Sequence, residues 1–434
     1  MIRILKTDGK TEREALTGLA GRGGVPGAEV ESAVREIIEA VRVEGDAAVI
    51  RYTELFDGAG ALPGGSIRVL GRAELKEAFE SLPEGLSMAL VHAAENIRTY
   101  HERQAEVSIG GYEEAAPDGI VLGQVVRGLA RVGIYVPGGT AAYPSTVLMN
   151  AIPAKIAGVG EIVMITPARE DMKEVLGAAF LAGVDRAILA GGAQAVAALA
   201  YGTETFPRVD KIVGPGNIYV ATAKRLLYGT VDIDMVAGPS EILVIADETA
   251  DAAFAAADLL SQAEHDPLAA SVLLTTSEPL AAAVAGAAES QLAKLSRADT
   301  VGKSIGQNGL ILVCRSEDEM IDLANEMAPE HLEILTRDPL GILTRIKNAG
   351  SVFLGAYTPE PVGDYYSGTN HVLPTGGTAR FASPLGVYDF VKRMSYSSYT
   401  KEALEKAKGD IVKIGEAEGL TAHVAAVKIR FGEE

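Results

Sequence analysis

Gln262 and His265 stand three residues apart in Ser261-Gln262-Ala263-Glu264-His265-Asp266-Pro267, a segment that closes a helix before Pro267. One helical turn brings them to the same face, so an amide oxygen and an imidazole can reach one ion. Taken alone, the pair reads more simply as a histidine set at a helix C-terminus, where the macrodipole favours its protonated form. The rest of the chain changes that balance.

There are six histidines. His92 and His101 fall in an amphipathic helical run and are expected at the surface. The other four sit among acids, Gly or Pro: His265, His331 in Ala328-Pro329-Glu330-His331, His371 in the run that begins Gly363-Asp364, and His423 in Glu418-Gly419-Leu420-Thr421-Ala422-His423. Glu330 and His331 are natural general bases side by side. Neighbours at a strand start point to opposite faces, so a shared role needs the irregular backbone that Pro329 favours. Asp364 lies in a Gly-bounded loop that suits a ligand carboxylate. Imidazole, carboxylate, amide oxygen and a further imidazole make a mixed N/O set of the kind Zn²⁺ accepts.

The elements that position these residues follow from hydrophobic patterning. Short β-branched runs at 132–136, 161–166, 187–190 and 211–213 alternate with helical runs at 147–157, 172–182, from 193 and from 217. The alternation restarts with strands at 242–245, 271–275, 309–314 and 331–336 between helices at 252–264, 279–293 and 317–327. Such alternation predicts parallel sheets covered on both faces. The fold class is α/β, with two Rossmann-like domains and small helical N- and C-terminal segments. Residues 1–28 form the first of these segments. Residues 29–131 with 241–384 form one domain, 132–240 the second, and 385–434 a charged helical end. Helical spacing runs from Glu29 to about Thr53 and from Glu84 to Gln104.

No Gly-x-Gly-x-x-Gly fingerprint follows a strand. Its nearest approaches are Tyr135-Val136-Pro137-Gly138-Gly139-Thr140 and Val213-Gly214-Pro215-Gly216-Asn217-Ile218-Tyr219. Each joins a strand to a helix, where backbone N–H groups can hold a phosphate. Each alone is better explained as a tight turn.

Composition excludes several classes. With 48% hydrophobic residues in 434, the chain can build two or three cores. A formal charge of −19 disfavours nucleic acid and anionic membranes. The single cysteine, Cys314, sits in the apolar run 310–314 and reads as a buried small residue. It suits a reducing, cytoplasmic setting. The N-terminal hexapeptide carries no apolar export segment. The uncharged stretch 132–154 is broken by Pro137, Pro144 and Pro153, so no membrane span is expected.

Together the strings Gly238-Pro239-Ser240-Glu241-Ile242-Leu243, 258–266, Pro329-Glu330-His331-Leu332-Glu333, 367–375 and 418–423 resemble histidinol dehydrogenase over roughly Arg131 to His423. The resemblance implies oxidation of L-histidinol to L-histidine with two NAD⁺, through histidinal that is hydrated before the second hydride transfer. It implies zinc on Gln262, His265, Asp364 and His423, the last from the partner in an intertwined homodimer. His331 would accept protons and Glu330 would activate water. Ser240 and Glu418, with the zinc and its ligands, would hold the substrate. Tyr135, Gln194 and Asn217 would contact NAD, in domains that lack the glycine fingerprint. A second reading keeps fold and metal but oxidises another small alcohol or diol; Ser240 and Glu418 favour the first. A binding protein without catalysis is a third, and the adjacent bases Glu330 and His331 argue against it.

Overall fold

The computed structural model describes residues 2–20, 22, 27–58, 62–138 and 143–433. Apolar runs without polar alternation become strands buried on both faces. Glu241–Ala246 and Ala270–Thr275 are buried at every position. They lie in a six-stranded sheet ordered Arg3–Lys6, Gly309–Val313, Ala270–Thr275, Glu241–Ala246, His331–Leu335, Ser351–Leu354, parallel throughout. Alternate residues of one strand feed two cores. Ile242 and Val244 face one, Leu243 and Ile245 the other.

A second six-stranded sheet runs Val69–Gly71, Arg186–Leu189, Glu161–Thr166, Arg131–Tyr135, Lys211–Val213, Asp232–Ile233. It is parallel except for the Val69–Gly71 edge. The expected two-sheet α/β class is therefore observed. No helix among the described residues is long and apolar enough to cross a membrane.

The segments around these sheets depart from expectation. The helices within 29–108 pack on the second sheet rather than on the sheet of 241–384. Val34, Ile37 and Val41 of the helix Ala28–Glu44 join Val196, Leu199 and Val220 in its core, because that face of the sheet needs an apolar cover. The run 29–53 is also two helices, Ala28–Glu44 and Asp46–Asp57, broken at Gly45 with φ +61°. The N-terminal segment is a strand plus the helix Thr11–Ala20, not helix alone. Residues 21 and 23–26 lie outside the described residues.

The charged end is not all helix either. Val391–Tyr399 is a strand that pairs antiparallel with Ile120–Gly128, which in turn pairs with Tyr112–Ala116. The helices Lys401–Ala417 and Thr421–Lys428 follow it.

Candidate active site

A helix that returns between parallel strands ends near their amino ends. The helix Ala252–Ala263, capped by Asp251 accepting from Ala253 N at 2.7 Å, makes such a return. Gln262 is in its last turn, and His265 lies just past it on a turn closed by His265 N donating to Gln262 O at 3.2 Å. Gln262 is fully buried, and neither atom of its amide has a partner. Such a group costs about 1–3 kcal/mol unless something satisfies it.

At the same end of the sheet, the helix Glu317–Met327 stops at Ala328, which is left-handed at φ +49°. Pro329 then leads into the strand His331–Leu335, so the backbone is irregular where a shared role for Glu330 and His331 requires it. Glu330 Oε2 accepts from Glu241 N at 2.9 Å, and His331 Nδ1 lies 3.2 Å from Glu241 O. A carbonyl can only accept, so Nδ1 carries the hydrogen and Nε2 keeps a free lone pair. That Nε2 is buried, without a hydrogen-bond partner, 4.0 Å from both Glu360 Oε1 and Asp364 Oδ1. Ser240, half-buried, immediately precedes Glu241. The N-terminal segment also reaches this corner, through an Arg22–Glu241 ion pair at 3.3 Å.

Asp364 lies on the short helix Glu360–Tyr365 rather than in a loop. His371 Nδ1 donates to Asp364 O at 3.0 Å, and Glu360 N donates to Glu333 Oε1 at 2.8 Å. Donor atoms of His265, Glu360 and Asp364 all fall within 4.8 Å of one another. Glu360 is the residue that sequence reasoning missed. It is one of 58 acids, and its only signal is the i, i+4 spacing to Asp364.

Burial sets the electrostatics. It raises Glu330 well above the usual carboxyl range, Glu360 to about 8 and Asp364 to about 6, while it lowers His331 to about 3 and His371 to about 4. Each shift is the cost of holding charge away from water. A cation among these carboxyls offsets that cost, and the unpartnered Gln262 oxygen adds a neutral donor. The donor set fits a metal such as Zn²⁺.

The C-terminal pair behaves differently. Glu418, just past the helix Lys401–Ala417, and His423, on Thr421–Lys428, are both exposed, and neither joins the cluster of its own chain.

Tyr135 is the last residue of its strand, and Gln194 and Asn217 lie just beyond the carboxyl ends of theirs, the customary ligand end. Tyr135 Oη accepts from Gly192 N at 3.3 Å, and Gln194 Nε2 donates to Thr53 Oγ1 at 3.4 Å. Asn217 Oδ1 accepts from Tyr219 N and Val220 N and caps the next helix. Gly214, at φ +107°, is so close to Tyr135 that a Cβ would lie 2.2 Å from Tyr135 O. Gly139 and Thr140 of the other glycine turn lie outside the described residues.

His92 is exposed as expected, but His101 is fully buried, because it continues the buried stripe of Leu90, Ala94 and Ile97 along its helix. Cys314 is buried as expected, and burial pushes its thiol up to about 12. It follows the strand Gly309–Val313, at the opposite end of the sheet from His331. Iodoacetamide at neutral pH is therefore expected to leave the native protein unmodified and active, and Cys314→Ala to keep kcat within about twofold. Rapid inactivation with one equivalent of label would show the thiol to be reachable.

The histidinol dehydrogenase family model matches residues 22–431, nearly the whole chain. The chain belongs to the histidinol dehydrogenase family. It is thus an oxidoreductase, and curated relatives match over most of its length. The histidinol dehydrogenase of Clostridium acetobutylicum is 51% identical over 434 residues, 99% of each chain. That of Listeria monocytogenes serovar 1/2a is 53% identical over 408 residues, 94% of each. The crystal structure of histidinol dehydrogenase from Elizabethkingia anophelis superposes with a TM-score of 0.91 at 37% identity, covering 99% of this chain and 98% of that one.

Proposed function

We propose that this histidinol dehydrogenase family member oxidises L-histidinol to L-histidine through histidinal, using NAD and zinc. The observation that carries the reading is the buried, unpartnered Gln262 amide beside His265, Glu360 and Asp364, with the free His331 Nε2 facing the same space. Gln262, His265 and Asp364 hold the metal, with His423 from a second copy. Tyr135, Gln194 and Asn217 hold the dinucleotide. Bound zinc supplies an electrophilic anchor for the substrate's nitrogen atoms, and bound NAD the hydride acceptor.

The chain's own residues handle the protons. His331 Nε2 takes the alcohol proton as the first hydride leaves carbon. For hydration, a water oxygen bonds to the aldehyde carbon and its proton passes to the Glu330 carboxylate. Burial makes that carboxylate a stronger base than a solvated one. As the water adds, His331 returns its proton to the carbonyl oxygen, which completes the hydrate and frees Nε2 to take a hydroxyl proton of that hydrate during the second transfer. Ser240 and the partner subunit's Glu418 orient the substrate. The buried thiol of Cys314 suits a cytoplasmic enzyme that resolves the aldehyde with water rather than sulfur.

The test is NADH production from L-histidinol, before and after treatment with a chelator. Absence of turnover by zinc-replete protein sinks the reading. The dimer has its own prediction. In a heterodimer of His331→Asn and His423→Ala chains, one site receives both lesions and the other neither. Mixing the two inactive homodimers after dissociation should restore about a quarter of wild-type activity. No recovery, with heterodimers demonstrated, would rule out the shared site. The exposure of Ile414, Leu420 and Ile429 on the terminal helices supports such a partner.

A further inference from the structure

His101 takes no part in the chemistry above, yet it is fully buried. Its Nδ1 lies 2.8 Å from Ile97 O, so Nδ1 carries the hydrogen. Nε2 is then a lone pair, and Asn370 Nδ2 donates to it at 3.3 Å. The other N–H of Asn370 goes to Met149 O at 2.7 Å, and Asn370 Oδ1 accepts from Val372 N at 2.9 Å. One buried carboxamide therefore ties together three parts of the molecule. They are the helix Glu84–Ser108, the helix Pro144–Ile156 that follows the Tyr135 strand, and the segment that leads to His371.

The connection continues into the site, because His371 Nδ1 donates to Asp364 O at 3.0 Å. The Glu84–Ser108 helix grips the same segment at two other points. Asn96 Nδ2 donates to Tyr366 O at 2.7 Å. Gly368, at φ +94°, is pressed so close that a Cβ would lie 2.4 Å from Asn96 O. The helix thus acts as a rail along which the Asp364 segment is located, and Asn370 pins that rail to the helix of the cofactor sheet.

We propose that His101 and Asn370 are positioning residues that set the register between the cofactor sheet and the metal and base site. The inference rests on the proposed division of NAD and zinc between the two sheets. Hydride transfer needs its donor carbon and acceptor in contact, and a misplacement of about 1 Å can cost about 10²-fold in rate. Loosening the pin leaves the two binding sites individually intact but shifts one against the other. The loss should therefore fall on kcat and spare both KM values.

The test uses the full-length, zinc-loaded enzyme. Asn370→Ala and His101→Ala are expected to lower kcat by roughly 10- to 100-fold, with zinc content and both KM values within about twofold of wild type. His101→Gln offers an amide oxygen to the Asn370 N–H and should recover most of the rate. A purely structural role would lower the melting temperature and the folded fraction but not kcat per zinc-loaded molecule. Unchanged kcat, a loss that tracks zinc, or no recovery in His101→Gln overturns the proposal. Should Asn370→Ala fail to fold, the His101→Ala and His101→Gln pair decides. Wild-type protein that makes no NADH from histidinol, yet binds zinc and NADH, instead overturns the functional reading on which this rests.

Discussion

Replacing His331 with Asn is expected to lower kcat for NADH production from histidinol by about 10²- to 10⁴-fold, the usual range for losing a general base. The substitution is chosen for its geometry. An Asn amide nitrogen can take the place of Nδ1 and keep the bond to Glu241 O, now 3.2 Å long. What disappears is Nε2, the buried lone pair that faces Glu360 and Asp364. Zinc content should stay near wild type, because the proposed metal donors come from other elements. Stopped-flow measurement of the first turnover separates the base from product release. A variant with full activity would remove His331 from the mechanism and leave Glu330 or Glu360 as the base.

The second large effect is expected at Gln262. Replacing it with Leu, of similar volume, should abolish zinc retention after dialysis and with it the turnover. The same change should stabilise the metal-free protein by about 1–3 kcal/mol, because it removes two buried polar atoms that lack partners. Opposite signs for function and stability are what a residue kept for a ligand predicts. Urea titration of the metal-free variants and metal analysis of the dialysed proteins measure the two halves. A metal-free Gln262→Leu protein less stable than wild type would mean that the amide is satisfied inside the fold.

How far these features were legible depends on what each residue meets. Runs such as Ile242 to Ile245 could be read as strands because both faces are buried and the apolar pattern is unbroken. The strand Val391–Tyr399 could not, because its outer residues are nearly all exposed and its pairing partner lies more than 250 residues earlier. Which sheet the helices of 29–108 cover is illegible for a related reason. An amphipathic helix reveals that it covers something, but not what. Gln262, His265, Glu330, His331 and Asp364 converge on one corner, whereas Glu360 was hidden in an acid-rich composition. His101 carried an overlooked signal, since Leu90, Ala94, Ile97 and His101 repeat at helical spacing along the buried stripe.

The two sheets present opposite ends to their proposed tasks, and this has a consequence for how the chain can change. Tyr135, Gln194 and Asn217 lie at carboxyl ends, but Glu330 and His331 lie at an amino end. The connections 247–251, 276–277, 314–316 and 336–338 at the first sheet's carboxyl edge therefore lie away from the proposed site. In most open α/β proteins those connections are where new specificities arise by lengthening. Here a peptide tag or a guest domain inserted there is expected to leave the proposed base and metal site untouched.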